Sequence, residues 1–442
     1  MTPSLDEFIA SSSASILGPT SERRATVEAA LPLRLIASLP FDAASTVAIV
    51  CDSNGSRWVV PIFLSDDGYR RARPGDGVAR VLLQRLGSPL SETETNQGFS
   101  LTTWRTGAPT GERAIGVDQT NESIVVGDEA VVKWTLRQPA SDDVANPVAV
   151  RLTALAQADF RGTPEVWGLL QWRATPTSSP LLIADITTFI SGALDGWDWA
   201  VADVSALGRG ELDMDSALAP AKQIGMLTAR MHIALAAAGI DYATAEQTAM
   251  WKQRAQRDLE RVANELDGPE GDRLRTRATE INSAYDEFDA AVGTPLIGVH
   301  GDFHVGQILR FNEPHEYLVT DFEGNPVVPA GERAANQPAA LDVAGMHAAL
   351  DHVGRIVMHH NPDLDVDLLN AWITNSQMAF DYEYVDTLAR MRHKQIYDEH
   401  LVRPLRFQQE VREYLYALDH LPLWRYAPDG ALRALIPDSE EN

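Results

Sequence analysis

The hydrophobic pattern changes its period along the chain, and this change constrains the fold more than any other feature. Up to about residue 190, apolar residues form short runs separated by turn sequences, such as residues 47–50 and 58–64 on either side of Asp52-Ser53-Asn54-Gly55. Such runs are typical of β-strands joined by hairpins. From Ala217 onward, apolar residues recur every three or four positions, which is typical of amphipathic helices. The order predicts an α+β protein with a smaller β-rich part before a larger helical part.

A polar, turn-rich stretch at residues 88–98 is the best linker candidate. With 442 residues, the chain is too long for one ordinary hydrophobic core. We predict an N-terminal β-rich cap at residues 1–105, a β-rich lobe at 106–190 and a helical lobe at 191–442. A hairpin of residues 123–126 and 130–134 places Lys133 on its second strand. Later helices are predicted at residues 251–266, 272–292, 342–358, 365–389 and 405–418.

Charge and cysteine content exclude several classes of protein. The formal net charge of −25 argues against nucleic acid or an anionic membrane as a partner. The single cysteine, Cys51, excludes an intramolecular disulfide and a metal site built from cysteines. No run of about 18 uncharged apolar residues occurs, and the N-terminus carries acids where a signal peptide needs positive charge. We therefore expect a cytoplasmic protein, with a monomer as the default.

The segment His300-Gly301-Asp302-Phe303-His304 carries the strongest indication of chemistry. Gln307 follows Asp302 by five residues, and Asp321 follows it by nineteen. Phosphoryl transfer from a metal–nucleotide complex needs such parts, because the enzyme must orient a hydroxyl group and hold cations against phosphate oxygens. In kinases an acid accepts the hydroxyl proton, while an amide and a second acid bind metal. Asp302, Gln307 and Asp321 would fill these roles; a polar turn after a buried strand is the simpler alternative.

Neighbouring residues extend this set of candidates. Gln307 and Asp321 offer oxygen ligands of the kind that Mg²⁺ prefers. Glu323 is a third candidate metal ligand, although a solvated acid in a turn is the simpler explanation. His304 suits either a hydrogen bond to substrate or packing within the loop.

A phosphate-binding role is predicted for Lys133 and the polar segment before it. Lys133 stands on a strand after a hairpin, as the lysine that binds the α- and β-phosphates of ATP does in kinases. A lone lysine on a strand is usually a surface charge, so this assignment depends on Asp302 and Asp321. Residues 116–123, with Gln119 and Ser123, lack the G-x-G-x-x-G pattern but offer polar groups to phosphate.

Residues 107–442 resemble the maltokinase and aminoglycoside-phosphotransferase branch of the eukaryotic-protein-kinase-like superfamily. The resemblance implies a bilobal kinase-like fold of the aminoglycoside-phosphotransferase type, an added N-terminal cap, and ATP-dependent transfer to a small molecule. It also implies that residues 185–190 form the interlobe hinge at adenine, with Asp185 and Thr187 as nucleotide contacts. The matching motifs are Asp118-Gln119-Thr120-Asn121-Glu122-Ser123 with Lys133, Asp195-Gly196-Trp197-Asp198-Trp199, His300 through Gln307, Asp321-Phe322-Glu323-Gly324-Asn325-Pro326 and Leu341-Asp342-Val343-Ala344-Gly345-Met346.

The chain departs from this branch at the lysine partner. The acid that usually pairs with the strand lysine is not evident, since Pro147-Val148-Ala149-Val150-Arg151 stands at its expected place. Asp142 or Asp143 could substitute.

A second departure concerns the acceptor. Maltokinases tend to carry an Asp-Lys pair in the C-terminal helix, where this chain has Gln408-Gln409 before Glu410 and Glu413. Neutral amides beside acids favour a positively charged substrate, because an ammonium group gains charge-assisted hydrogen bonds to a carboxylate. In this respect the sequence resembles the actinobacterial glucosamine kinases. Trp424 is retained, and its aromatic face suits stacking on a sugar ring.

The leading hypothesis is therefore transfer from ATP to D-glucosamine, giving glucosamine 6-phosphate. A solvated face is the simpler explanation of the helix, since Gln409 and Glu413 lie one turn apart. A maltokinase producing maltose 1-phosphate, an aminoglycoside-phosphotransferase-like enzyme and a pseudokinase that binds a nucleotide or partner without turnover remain as alternatives. The predicted sugar contacts are Asp302, His304, Gln408, Gln409, Glu410, Glu413 and Trp424.

Overall fold

The computed structural model describes residues 3–18, 30–115, 122–138, 146–312 and 315–437. The chain divides into two compact units. The first comprises Met1–Ala156, Pro164–Gly192 and Val328–Ala334, and the second comprises Gln157–Thr163, Ala193–Val327 and Ala335–Asn442. Gln119 and the rest of residues 116–121 lie outside the described residues, as do Asp142 and Asp143.

The first unit contains two antiparallel sheets, in the orders β1-β2-β3-β4 and β5-β9-β10-β8-β7-β6. The second sheet already includes β5, so it begins ahead of the boundary that we predicted after residue 105. Helix α3 lies within the predicted linker. The elements are α1 (Leu5–Ser11), β1 (Arg34–Pro40), β2 (Ser45–Cys51), β3 (Arg57–Ser65), β4 (Gly68–Arg71), α2 (Val78–Arg85), α3 (Glu92–Asn96), β5 (Phe99–Thr103), β6 (Glu112–Ala114), β7 (Glu122–Val126), β8 (Ala130–Trp134), α4 (Pro147–Gln157), β9 (Val166–Trp172) and β10 (Leu181–Thr188).

Turn chemistry explains both hairpins that the sequence predicts, and the structure confirms them. Between β2 and β3, the Asp52 carboxylate accepts hydrogen bonds from the backbone N–H groups of Asn54, at 3.0 Å, and Ser56, at 2.8 Å. Between β7 and β8, Gly127 and Asp128 adopt φ angles of 57° and 51°. The backbone N–H of Glu129 donates to the carbonyl oxygen of Val126 at 3.1 Å and closes a tight turn around these two left-handed residues. Lys133 consequently lies on β8, as predicted.

The two sheets of the first unit share one hydrophobic core. Val47 and Ile49 of β2, Leu82 of α2, and Val132 and Trp134 of β8 belong to the same buried cluster. The N-terminal sheet therefore braces the sheet that carries Lys133.

The second unit is mainly helical, as the change of hydrophobic period predicts. The sequence pattern did not reveal α5, because this helix is apolar on several sides and carries little polar contrast. A short helix, α9 (Ala330–Ala334), belongs to the first unit. The second unit holds α5 (Gly196–Gly208), α6 (Met214–Ala236), β11 (Asp241–Tyr242), α7 (Ala245–Glu265), α8 (Gly268–Tyr285), β12 (Pro295–Leu296), β13 (Ile308–Phe311), β14 (Glu316–Val319), α10 (Ala340–His360), α11 (Val366–Arg390), α12 (Val402–Asp419) and α13 (Tyr426–Leu435).

Helix α10 lies at the centre of the second unit, where it packs against α5, α11, α12 and α13. Three of its polar side chains, Asp342, Asp351 and His352, are almost completely buried. Buried polar groups need hydrogen-bond partners: Asp351 pairs with Arg355 at 2.8 Å and His352 with Glu410 at 3.0 Å, while Asp342 finds its partners at the functional site described below. Among the described residues, no helix combines the length and the apolar character needed to cross a membrane.

Candidate active site

The hairpin β13–β14 brings Gln307 and Asp321 together. Ile308 at the start of β13 pairs with Val319 at the end of β14. The next pair outward is Gln307 and Thr320, whose backbone N–H donates to the Gln307 carbonyl oxygen at 2.9 Å. Asp321 follows Thr320 directly, so two residues fourteen positions apart in sequence become neighbours in space.

His300 connects the Asp302 loop to the same hairpin. Its Nε2 lies 2.8 Å from the carbonyl oxygen of Thr320 and therefore donates to it. The other ring nitrogen, Nδ1, then accepts the backbone N–H of Asp302 at 3.4 Å. A single imidazole thus holds Asp302 on one side and the residue before Asp321 on the other.

Asp342 of α10 holds this loop through hydrogen bonds to its backbone. Its carboxylate accepts the backbone N–H groups of His300 at 2.7 Å and Gly301 at 2.8 Å, and Nε2 of His232 at 3.0 Å. Burial alone would raise the pKa of Asp342, but the hydrogen bond and positive charge of His232 and the loop N–H groups hold that pKa below its ordinary value. The other ring nitrogen of His232, Nδ1, forms a hydrogen bond with the hydroxyl group of Tyr384 at 2.7 Å.

Asp302 is half-buried and electrostatically coupled to the other acids of the site. Burial, with contributions from Asp321 and Glu413, raises its pKa to about 6, against lowering contributions from His300 and Arg412. Because the charge of Asp321 is felt at Asp302, the two carboxylates share one environment. A carboxylate with a pKa near 6 is a competent general base at neutral pH.

Asp321 adopts a backbone conformation that is sparse for residues other than glycine, with φ of 61°. Asp and Asn tolerate this region better than other side chains do. Strained residues of this kind cluster at active sites and ligand clamps, which agrees with a functional role for Asp321.

The oxygen donors near Asp321 fit Mg²⁺ in its nucleotide-bound form. Within the described ranges, no three His, Cys, Asp or Glu side chains are grouped to hold a metal by themselves. Mg²⁺ is commonly bound through one or two carboxylates together with substrate phosphates and water. Asp321 and the adjacent Gln307 offer such a partial ligand set, and the contribution of Glu323 stays a prediction.

A close approach of two backbones places the Asp195–Trp199 motif against the loop. A Cβ atom on Gly196 would lie only 1.6 Å from the carbonyl oxygen of Val305, so this position requires glycine. The ring of Trp197 stacks on His304 with centroids 6.0 Å apart, and it meets Trp424 edge-on at 6.4 Å. Burial lowers the pKa of His304, which favours the neutral ring.

Helix α12 places Glu413 beside Trp424, the ring that Trp197 meets edge-on. The Glu413 carboxylate accepts from the Gln409 amide and from Nε1–H of Trp424, both at 2.9 Å. Its charge also raises the pKa of Asp302. Glu413, Gln409 and Trp424 are therefore joined to one another and close to the predicted base.

One predicted sugar contact on the same helix is bound elsewhere, and we correct it. Glu410 is fully buried, and its carboxylate is bound by Arg406 and by Nε2 of His352, the latter at 3.0 Å. Gln408 is also buried, with 3% of its surface exposed. The Glu410 carboxylate is therefore not placed to meet a sugar, whereas a contact between Gln408 and the sugar stays a prediction.

The predicted nucleotide residues lie in the first unit. Ser123 on β7 and Asp185 on β10 are each directly opposite Lys133 on β8. Strand β10 continues to Thr188, so Asp185 and Thr187 belong to a strand and not to the hinge that we predicted at residues 185–190. Residues 186–190 are all β-branched or aromatic, types common in strands, so the sequence does not mark where this strand ends.

Comparison with known proteins identifies the family. No protein-family model matches the chain. A glucosamine kinase of Streptacidiphilus jiangxiensis is 48% identical over 440 residues, which cover 99% of each chain. The chain belongs to the glucosamine kinase family. A second glucosamine kinase, from Mycolicibacterium smegmatis, is 37% identical over 379 residues, 85% of this chain and 92% of that one. A solved structure of a glucosamine kinase in complex with glucosamine, ADP and inorganic phosphate shares 46% identity and a TM-score of 0.89, covering 99% of this chain and 100% of that chain.

Membership in the glucosamine kinase family confirms the resemblance that the altered C-terminal helix predicted. Three residues of the site were nevertheless missed. Trp197 lies in the motif Asp195-Gly196-Trp197-Asp198-Trp199, and its position next to Gly196 was the signal that could have identified it. His352, which meets the Trp424 ring edge-on at 5.4 Å, and Arg412, whose charge acts on Asp302, gave no signal in the sequence.

Proposed function

We propose that this chain is a glucosamine kinase that transfers the γ-phosphoryl group of ATP to the 6-hydroxyl group of D-glucosamine. The observation that carries the proposal is the position of Asp302, which is held on a loop clamped by Asp342 and has a pKa raised by the charges of both Asp321 and Glu413 in addition to burial. The β-rich first unit and the helical second unit support a bilobal protein-kinase-like fold with an N-terminal cap.

In the proposed reaction, Asp302 accepts the proton of the 6-hydroxyl group as that oxygen forms a bond to the γ-phosphorus. The bond from this phosphorus to the β–γ bridging oxygen breaks, and ADP leaves. Mg²⁺, held by Asp321 and Gln307, would neutralise the charge of the phosphate oxygens. Lys133, with Ser123, would hold the phosphates, and Thr187 would contact the nucleotide. His304 would contact the sugar near the reacting hydroxyl.

Glu413 is the proposed determinant for the amino group. It accepts two neutral hydrogen bonds from Gln409 and Trp424, which fix its orientation and leave lone pairs for another donor. An ammonium group there forms a charge-assisted hydrogen bond, roughly twice as strong as a neutral one. Trp424 would then pack against the sugar ring.

A sugar panel tests the proposed function directly. ADP release should be measured with glucosamine, glucose and maltose, and the product of each should be located by NMR. We expect glucosamine to give the highest kcat/KM and phosphate at the 6-position. Equal use of the three sugars, or phosphate at the anomeric position, would contradict the proposal.

Glu413→Gln should reduce the preference for glucosamine. Loss of a charged hydrogen bond of about 1.5–3 kcal/mol corresponds to a rise of roughly 10–150-fold in the KM for glucosamine. Glucose lacks the ammonium group, so its kcat/KM should change much less. Glucose serves as the control substrate, and an equal loss for both sugars would show that Glu413 does not read the amino group.

A further inference from the structure

Trp424 lies on a short segment that does little to fix its side chain. The segment is a single 3₁₀ turn, Pro422–Arg425, in which every residue is at least partly exposed. Leu423, next to Trp424, is 87% exposed. Since few buried contacts hold this part of the backbone, the orientation of the Trp424 ring depends on the side chains that it touches.

A ring from the central helix α10 meets the Trp424 ring edge-on. The centroid of the His352 ring lies 5.4 Å from that of Trp424, and the two planes are 82° apart. Such edge-to-face pairs are favourable because the positive edge of one ring meets the negative face of the other. Trp197, at 6.4 Å, and Tyr426, at 5.7 Å, also contact Trp424. Of these three rings, His352 is the buried one, with 3% of its surface exposed.

Buried hydrogen bonds and ion pairs fix the His352 ring. Its Nε2 lies 3.0 Å from the carboxylate of Glu410, which also binds Arg406. A carboxylate paired with a guanidinium group only accepts, so Nε2 carries the proton and donates. Burial lowers the pKa of His352 to about 4, which keeps the ring neutral at neutral pH. Asp351, the preceding residue, binds Arg355 at 2.8 Å and Arg406 at 3.5 Å, so the helix around His352 is held as well.

The two rings connect two acids of one helix. Glu410 and Glu413 are three residues apart on α12. Glu410 accepts from His352, and Glu413 accepts from Nε1–H of Trp424 at 2.9 Å. The four side chains therefore form a closed cycle that leaves α12 at Glu410 and returns to it at Glu413. Rotation of the Trp424 ring away from His352 would remove one of the two hydrogen bonds that orient the Glu413 carboxylate.

We propose that His352 is a positioning residue for the amino group of the sugar: its ring holds Trp424 so that the indole N–H keeps the Glu413 carboxylate oriented. The proposal rests on the proposed function, in which Glu413 binds the ammonium group of glucosamine. Because the effect passes through Glu413, it belongs to the binding of a sugar that carries an ammonium group. The chemical step and the binding of nucleotide do not depend on it.

His352→Gln tests this role, because the glutamine amide keeps an N–H donor for Glu410 but removes the ring from Trp424. We expect the KM for glucosamine to rise by about 3–10-fold, the range that an edge-to-face ring pair supports. The kcat for glucosamine, the kcat/KM for glucose and the ADP affinity measured by calorimetry should each stay within about twofold of wild type. His352→Phe restores a ring against Trp424, so its KM for glucosamine should stay close to that of wild type.

His347→Gln is the matched control. His347 lies on the same helix, pairs with Asp381 at 2.8 Å and meets the Phe380 ring edge-on at 6.1 Å. The same substitution therefore removes similar contacts away from Trp424, and the KM for glucosamine should equal that of wild type.

A double-mutant cycle with Glu413→Gln shows whether His352 acts through Glu413. Residues that act through one another are not additive, so adding His352→Gln to Glu413→Gln should change the KM for glucosamine by less than about twofold. If Glu413→Gln raises this KM but His352→Gln does not, if the two effects multiply, or if glucose and glucosamine lose equally in His352→Gln, the positioning role is refuted while the proposed function stands. If Glu413→Gln leaves the KM for glucosamine unchanged, the role of Glu413 itself is refuted. His352→Phe carries the test should His352→Gln not fold, since a rise in its KM as large as that of Glu413→Gln would show that the ring contact does not position Glu413.

Discussion

Asp302→Asn should lower kcat by about 10²–10⁴-fold, the range that general-base catalysis contributes. The amide has the shape of the carboxylate but cannot accept the proton of the sugar hydroxyl. Binding should persist, because the loop is held through His300, Gly301 and Asp342 by backbone contacts that the substitution leaves in place. ADP release reports turnover, and calorimetry with ADP and glucosamine reports binding.

Asp198→Asn is the matched control, since Asp198 is an exposed acid in the adjoining motif, and its turnover should equal that of wild type. Asp302→Asn with more than a tenth of wild-type turnover would remove Asp302 from the role of base. Wild-type protein that binds ADP yet phosphorylates no sugar would favour the pseudokinase alternative.

The raised pKa of Asp302 also predicts how activity and stability depend on pH. Activity should fall as the pH drops below about 6, because the protonated carboxyl group cannot act as a base. The contribution of Asp302 to folding stability should change in the opposite direction and become more favourable as the pH falls. The pKa in the folded state lies above the unfolded value of about 3.9, so ionisation of Asp302 costs stability above about pH 6, and this cost disappears below about pH 4. Asp302→Asn should thus be the more stable protein at pH 7.5, by about 1–3 kcal/mol, with the difference closing at pH 4. Equal unfolding free energies at both pH values would contradict the shift.

The grouping of the loop residues was predictable because it is local in sequence. Asp302, Gln307 and Asp321 are separated by one turn and one hairpin, and the spacing of such short elements determines where their side chains meet. The hairpin holding Lys133 was predictable for the same reason, since Gly127 and Asp128 are residue types that favour the left-handed backbone conformations of a tight turn.

Residues that face the site from distant helices were not predictable. Whether Glu410 or Glu413 meets the sugar depends on which side of α12 packs on α10, and that choice is made by Arg406 and His352 in the interior. Sequence periodicity places both acids on one helix but does not say which is buried.

The end of β10 was not predictable either. Residues 186–190 are all β-branched or aromatic, so the sequence does not separate the strand from the hinge to which Asp185 was assigned, and the structure places Asp185 in register with Lys133.

Among the substitutions for which we make predictions, Asp342→Asn should destabilise the second unit the most. The buried carboxylate receives three hydrogen bonds, from His300 N–H, Gly301 N–H and His232. An amide cannot accept all three, and each buried donor left without a partner costs about 1–3 kcal/mol. We expect a loss of roughly 3–5 kcal/mol in urea unfolding, the range for breaking a buried charged pair, together with a fall in kcat as the Asp302 loop loosens.

Asp381→Asn provides the comparison that decides whether burial is the cause. Asp381 also pairs with a histidine, His347, at 2.8 Å, but its side chain is 42% exposed. Exposed ion pairs contribute only about 0–1 kcal/mol, so this variant should keep nearly all stability and activity. Because the pKa of Asp342 is lowered in the folded state, its contribution to wild-type stability is present above the unfolded pKa and is lost as the pH falls through the folded value. Acid unfolding should therefore be shallower in Asp342→Asn than in wild type. A similar small loss in both variants, with acid profiles that coincide, would mean that the loop is held by packing alone and that Asp342 is not the anchor of the catalytic base.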